Sequence, residues 1–164
     1  MLIFSYGTLT LPLIRDRVLG HPVETREAIL RGYSKVCGWD YLTLVPSEGC
    51  VKGVVFEADE DDVGRMDVWE DVPIYRLERV AVECDGDSLD AYSYIMPEPP
   101  AFYETVEDSC IAAIPLEEMI ADLEAALGLR SDIGMRRPRR PIYSLISRNY
   151  VAITLRLSIS ESGT

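Results

Sequence analysis

Along residues 1–97 apolar side chains recur in short blocks that switch between the two-residue period of a strand and the longer period of a helix. Leu2, Ile3 and Phe4 form the first block, a core strand that stops at the polar, glycine-centred stretch Ser5-Tyr6-Gly7-Thr8-Leu9-Thr10. Thr10 can cap a helix with Pro12 in its first turn, with Leu11, Ile14 and Val18 at i, i+3 and i+7 and Gly20 as its stop. The polar stretch therefore joins a strand to a short helix. Segments near Glu27–Val36 and Cys50–Ala58 are rich in β-branched and aromatic residues between glycines and prolines, which predicts strands. Asp59 caps a second helix whose first turn carries acids that suit the helix dipole, and Pro73 ends it. Tyr75–Cys84 and Leu89–Met96, divided by Asp-Gly-Asp-Ser, predict a β-hairpin.

Met96–Thr105 reads as a proline-rich connection. The most regular helical stripe follows it: Leu116, Met119, Ile120, Leu123 and Leu127, with Gly128 as stop, predict a helix over about residues 115–128. A basic loop containing Arg136, Arg137, Arg139 and Arg140 comes next. Residues 149–159 then alternate, with Val151, Ile153, Leu155, Leu157 and Ile159 on one face, as a half-buried strand does. The order strand, helix, strands, helix, hairpin, helix, strand predicts an α+β fold, a small mixed or antiparallel sheet able to close into a β-barrel with flanking helices. Residues 1–97 make the core of this scheme and 98–164 a C-terminal extension packed on it.

Composition narrows the picture. A chain of 164 residues, 48% hydrophobic and 27% charged, fits a single domain spanning residues 1–164. No apolar run approaches the ~20 residues of a membrane span, and the expectation is a soluble cytoplasmic protein. The four cysteines, Cys37, Cys50, Cys84 and Cys110, include no CxxC pair, and the one histidine, His21, sits in a Gly-His-Pro turn. Neither a metal site nor histidine catalysis is expected. The net charge of −12 speaks against nucleic acid and anionic membranes as partners. Residues 129–164 hold 7 of the 16 basic and 2 of the 28 acidic side chains, which leaves this tail at +5 and residues 1–128 at −17. The tail is thus suited to dock on an acidic partner or on another copy of the chain as a homo-oligomer, or to lie as a solvated, salt-bridged loop.

One carboxylate breaks the apolar pattern. With Val63 at zero and about 100° per residue, Met66 falls at about −60°, Glu70 at about −20° and Asp67 at about +40°. Glu70 points into the stripe that faces the core. A buried carboxylate is costly to ionise and is pushed toward neutrality, as a general acid or base requires. The alternative places Glu70 at a fraying helix end, turned to solvent or paired with Arg76 or Arg79.

Taken together, Ser5-Tyr6-Gly7-Thr8-Leu9, Gly32-Tyr33, Val51-Lys52-Gly53, Met66-Asp67-Val68-Trp69-Glu70 and Tyr75-Arg76-Leu77 resemble the gamma-glutamylcyclotransferase-like family. The resemblance is to the branch of the plant avirulence-induced proteins and of gamma-glutamylamine cyclotransferase. It implies that Tyr6, Gly7, Thr8 and Leu9 cradle the gamma-glutamyl head of a small-molecule substrate and that Glu70 is the catalytic acid/base. The implied reaction is intramolecular. The substrate's α-amine attacks its own side-chain amide, giving 5-oxoproline and a free amine with no metal or organic cofactor. Gly7, lacking a Cβ, allows close approach of the backbone. Tyr6 is read either as pocket wall or as packing, Thr8 as bonding either the substrate or its own loop, and Tyr94 as reaching the ligand or belonging to the core. Asp67 reads as structural, and Tyr75 and Arg76 as anchors of their strand. The chain departs from the family at Asp71, where glycine is usual, and at Met66, where leucine is. Two other readings keep the fold without the chemistry: a non-catalytic binder of a small metabolite, and an interaction protein working through its basic tail.

Overall fold

The computed structural model describes residues 1–38 and 41–107. In chain order these form β1 (Leu2–Ser5), a 3-10 turn (Thr8–Thr10), α1 (Pro12–Leu19), β2 (Arg26–Gly38), β3 (Tyr41–Glu57), α2 (Glu60–Trp69), β4 (Arg76–Cys84), β5 (Asp87–Ile95) and β6 (Glu104–Thr105). The helix expected near 115–128, the arginine-rich loop 136–140, the strand expected near 149–159 and Cys110 lie outside the described residues. Among the described residues no helix is long and apolar enough to cross a membrane.

Five strands close a barrel in the order β3, β1, β5, β4, β2, with β2 pairing back onto β3, and β6 is added on β2 outside the ring. Every seam is antiparallel except that between β1 and β5, where Ile3 stands opposite Tyr92 in parallel register. The sheet is therefore mixed and closed, as the pattern predicts. Phe4, Tyr6, Leu30, Val51, Val55, Val82 and Ala91 fill the barrel interior. Ile3, Leu9, Ile14, Leu19, Phe56, Met66, Trp69, Tyr75 and Tyr94 form a second core, between the barrel wall and the two helices. β1 contributes to both, which is why Leu2, Ile3 and Phe4 run apolar without alternation.

Local chemistry sets the boundaries. Asp59 and Asp62 form a reciprocal capping box at the start of α2, with Asp62 N donating to Asp59 Oδ1 at 2.8 Å and Asp59 N to Asp62 Oδ2 at 3.1 Å. The β4–β5 turn is only Asp85-Gly86, with φ of 54° and 91°, the two left-handed residues of a type I′ hairpin, so β5 already starts at Asp87. Gly53, opposite Ala28, has no room for a side chain: a Cβ there would fall on the Ser5 carbonyl and 2.7 Å from Phe4 Cε2.

Three expectations change. Thr10 does not cap α1, whose N-cap is Leu11; its hydroxyl turns back to the Gly7 carbonyl at 2.7 Å because a 3-10 turn intervenes. β3 begins at Tyr41, not near Cys50, because Pro46 and Gly49, which read as breakers, flank a bulge at which the pairing jumps from Arg31–Cys50 to Tyr33–Pro46. The end of the proline-rich connection is β6, two residues paired with Val36 and Cys37, too short to leave a periodic signal.

Candidate active site

The stretch Ser5–Leu9 is buried throughout, so the polar turn is not a surface connection. Its shape is fixed from three sides. Within the loop, Thr10 N donates to Gly7 O at 3.0 Å and Leu11 N to Thr8 O at 3.1 Å. From α1, Arg15 comes in 4% exposed and donates from Nη1 to Leu9 O at 3.2 Å and Thr10 O at 3.4 Å, with its guanidinium 5.9 Å from the centre of the Phe56 ring. Burial lowers the pKa of that guanidinium, against the pull of the Asp16 charge; an arginine stays cationic regardless. From α2, the indole N–H of Trp69 donates to Thr8 Oγ1 at 3.1 Å.

Glu70 is the C-cap of α2 and is 6% exposed. It is not turned to solvent, and Arg79 is bound instead to Asp90 at 2.7 Å. The helix end above it is closed by Val72 N donating to Asp67 O at 3.0 Å, the long bond of a Schellman motif, with Asp71 at φ 55° in the left-handed position. The usual glycine after this glutamate thus has a backbone reason, and aspartate is among the few other residues that tolerate the conformation.

Tyr6, Gly7, Leu9, Glu70 and Tyr94 line one narrow cavity together with Ser5, Leu42 and Ser93. Its space of about 10 Å³ holds roughly one water-sized atom. Thr8 stands outside this lining, with its hydroxyl engaged by Trp69. Tyr6 both packs in the barrel and walls the cavity, and its hydroxyl donates to Tyr94 O at 2.8 Å. Tyr94 lies on the outer face of its strand with Tyr92, but α2 covers it, and its hydroxyl donates to Asp67 Oδ1 at 2.6 Å. Asp67 therefore ties α2 to the barrel. Burial first, then the Glu70 charge, raises the Tyr6 pKa, with the bond to Thr43 pulling the other way. Burial, the Asp67 bond, and the charges of Asp67 and Glu70 raise that of Tyr94. Both phenols stay protonated.

Four participants escaped the sequence reading: Arg15, Trp69, Thr43 and Ser93. Trp69 carried a signal, since it flanks Glu70 within a quoted motif. Arg15 sits directly after Ile14 on the buried side of α1, where its charge argued for solvent. Thr43, which accepts from Met96 N at 2.9 Å, and Ser93 carry none.

The family model described as gamma-glutamyl cyclotransferase, AIG2-like, matches residues 3–113. Among solved structures, an Arabidopsis thaliana protein known in solution superposes with a TM-score of 0.58 at 20% identity, covering 80% of this chain and 84% of its own. An AIG2-like protein of Mus musculus gives 0.53 at 26% identity, over 65% of this chain and 85% of its own. A structure named gamma-glutamyl cyclotransferase gives 0.52 at 18% identity, over 95% and 98%. The first and third, at such identities, speak for the fold. No curated protein matches the sequence. With the family model spanning the whole barrel and both helices, the chain belongs to the gamma-glutamyl cyclotransferase, AIG2-like family.

Proposed function

We propose that the protein is a cytoplasmic gamma-glutamyl cyclotransferase that converts a small gamma-glutamyl amide into 5-oxoproline and a free amine, with Glu70 as general acid/base. The observation that carries this reading is the buried Glu70 in one cavity with Tyr6, Gly7 and Leu9. The substrate amine is an ammonium at neutral pH and has no lone pair to attack with. Glu70 takes a proton from it, the nitrogen adds to the γ-carbonyl, and the carbon–nitrogen bond to the leaving amine breaks as Glu70 passes that proton to the leaving nitrogen; the ring nitrogen then gives up its second proton, through the freed carboxylate, to the departing amine, which leaves as an ammonium. The amides of the Tyr6–Leu9 loop hold the head carboxylate or the developing oxyanion. Holding the chain's rotors in the ring-closing shape contributes several kcal/mol of the barrier. The bonds that Arg15 and Trp69 make to the loop support this role, because a preorganised wall costs little to reorganise as the ring forms.

Incubation with a panel of gamma-glutamyl amines and amino acids, with 5-oxoproline as readout, tests the proposal. Glu70→Gln is expected to lose about 10²–10⁴ in kcat. Turnover that survives the substitution removes Glu70 from its role, and absence of turnover with every compound favours the metabolite-binding reading. The basic tail is proposed to make a homo-oligomer contact, and deletion of residues 129–164 followed by sizing in solution decides it.

A further inference from the structure

Ser93 is the cavity residue whose place the bonds above do not explain. It lies on β5 between Ala91 and Ile95, both part of the barrel interior, is 0% exposed, and its Oγ has no hydrogen-bond partner among the described residues. A hydroxyl buried without a partner is unfavourable, whereas alanine at the same place would not be. Its side chain lines the space of about 10 Å³ that Glu70 also lines, so an atom seated there has both as neighbours.

The other side-chain groups on that wall indicate which kind of atom fits. Tyr6 spends its hydroxyl hydrogen on Tyr94 O, and Tyr94 spends its own on Asp67. Neither phenol has a hydrogen left to donate into the cavity, and Glu70 is an acceptor when ionised. The Glu70 charge beside the unpartnered Ser93 oxygen suits a donor cation at this end of the cavity. A primary ammonium, with three N–H donors and no acceptor on a single heavy atom, meets both the electrostatics and the size.

We propose that Ser93 is a substrate-binding residue whose Oγ accepts one N–H of the substrate's α-ammonium while Glu70 takes another, and that the cavity admits only an unsubstituted amine. This rests on the cyclotransferase reading and adds to it which substrate atom occupies the cavity and what selects it.

The test is steady-state kinetics of wild type, Ser93→Ala and Ser93→Cys on a gamma-glutamyl alkylamide and on its α-N-methyl analogue, whose secondary amine can still close the ring. Ser93→Ala is expected to raise KM about ten- to a hundredfold, the weight of a hydrogen bond to a charged group, with kcat nearly unchanged. It is also expected to relax the discrimination against the N-methyl analogue about tenfold, because removing Oγ leaves room for the methyl. Ser93→Cys, of similar size but a weak acceptor, is expected to raise KM and keep the discrimination. Melting curves of both variants at or above the wild-type temperature establish that the fold is intact. Wild-type turnover together with unchanged KM and selectivity in both variants overturns the inference and leaves the cyclotransferase reading standing. A wild type that neither turns over nor is thermally stabilised by any gamma-glutamyl compound overturns both.

Discussion

Two regions of the barrel use polar side chains in opposite ways. On the outer surface of β2, β4 and β5, Arg31 meets Glu83 at 2.6 Å, Arg79 meets Asp90 at 2.7 Å and Arg26 meets Asp85 at 3.4 Å, all with both partners open to water. Around Glu70, bonds of similar length join buried or half-buried groups from different elements: Tyr94 to Asp67 at 2.6 Å, Trp69 to Thr8 at 3.1 Å, Arg15 to the Leu9 carbonyl at 3.2 Å. Length does not tell the two sets apart. Solvent does, since water and salt screen the outer pairs and compete for them, while a buried partner once lost has no replacement. Order in the site is built from the second kind.

Substitutions make that contrast measurable. Arg15→Met keeps the volume and the apolar stem but strips two carbonyls of their donor. A loss of about 2 kcal/mol in denaturant unfolding is expected, the lost bonds outweighing the relief of burying a charge; an unchanged midpoint would mean that the guanidinium's desolvation cancels its bonds. Next comes Trp69→Phe, which removes only the indole N–H among polar contacts. Here about 1 kcal/mol of stability and about tenfold in kcat/KM are expected, through a displaced loop. A double-mutant cycle with Thr8→Val should return most of the stability loss as coupling, and additive losses would place the effect in packing instead.

A smaller effect is expected where the two modes meet. His21 Nε2 lies 2.9 Å from Asp62 Oδ1, and Arg65 Nη2 reaches the same oxygen at 2.8 Å. The bond to Asp62, foremost, raises the His21 pKa. Burial pushes Asp62 up, but the bonds from Arg65, the Asp59 amide and His21 outweigh it and hold the carboxyl below its usual range. The His21 contribution is thus complete below its unfolded value near ~6.5 and fades as pH rises through the higher folded one, while that of Asp62 fades as pH falls through its lowered value. The melting temperature should decline from about pH 6 upward, and His21→Gln should flatten that decline. Arg79→Ala closes the series. At a fully solvated pair it should leave the unfolding midpoint nearly unchanged, and a clear loss would show that the outer pairs are not independent of the barrel.

What the sequence revealed follows the same division. Elements whose signal is local were legible: the Asp59 cap, the Asp85-Gly86 turn, the Gly20 stop and the inward aim of Glu70 all follow from spacing and from one residue's backbone habits. The candidate site was legible as a pair of motifs, the Tyr6–Leu9 loop and Glu70. Its supports were not. Whether Trp69 reaches Thr8, or Arg15 turns under the loop, depends on how two helices lie on a closed barrel, and neighbours in the chain carry no trace of that. Tyr94 shows the limit well. Period two puts it with Tyr92 on an outward face, and only the presence of α2 over one of them buries Tyr94 and leaves Tyr92 at 38% exposure. Asp71 was legible as a departure from the family, and the backbone at φ 55° makes it a matter of conformation.

The parallel seam that sets Ile3 beside Tyr92 also governs the timing of assembly. In synthesis β1 precedes both of its partners, and β3 is made before β5. The ring stays open until β5 arrives, and only then does the Tyr94 carbonyl become available to the Tyr6 hydroxyl. The loop is therefore made well before the strand that supplies its tether. Closure across so long a separation is slow compared with hairpin formation, so a chain interrupted before β5 carries the whole sequence of the loop without the bond that holds Tyr6 in place.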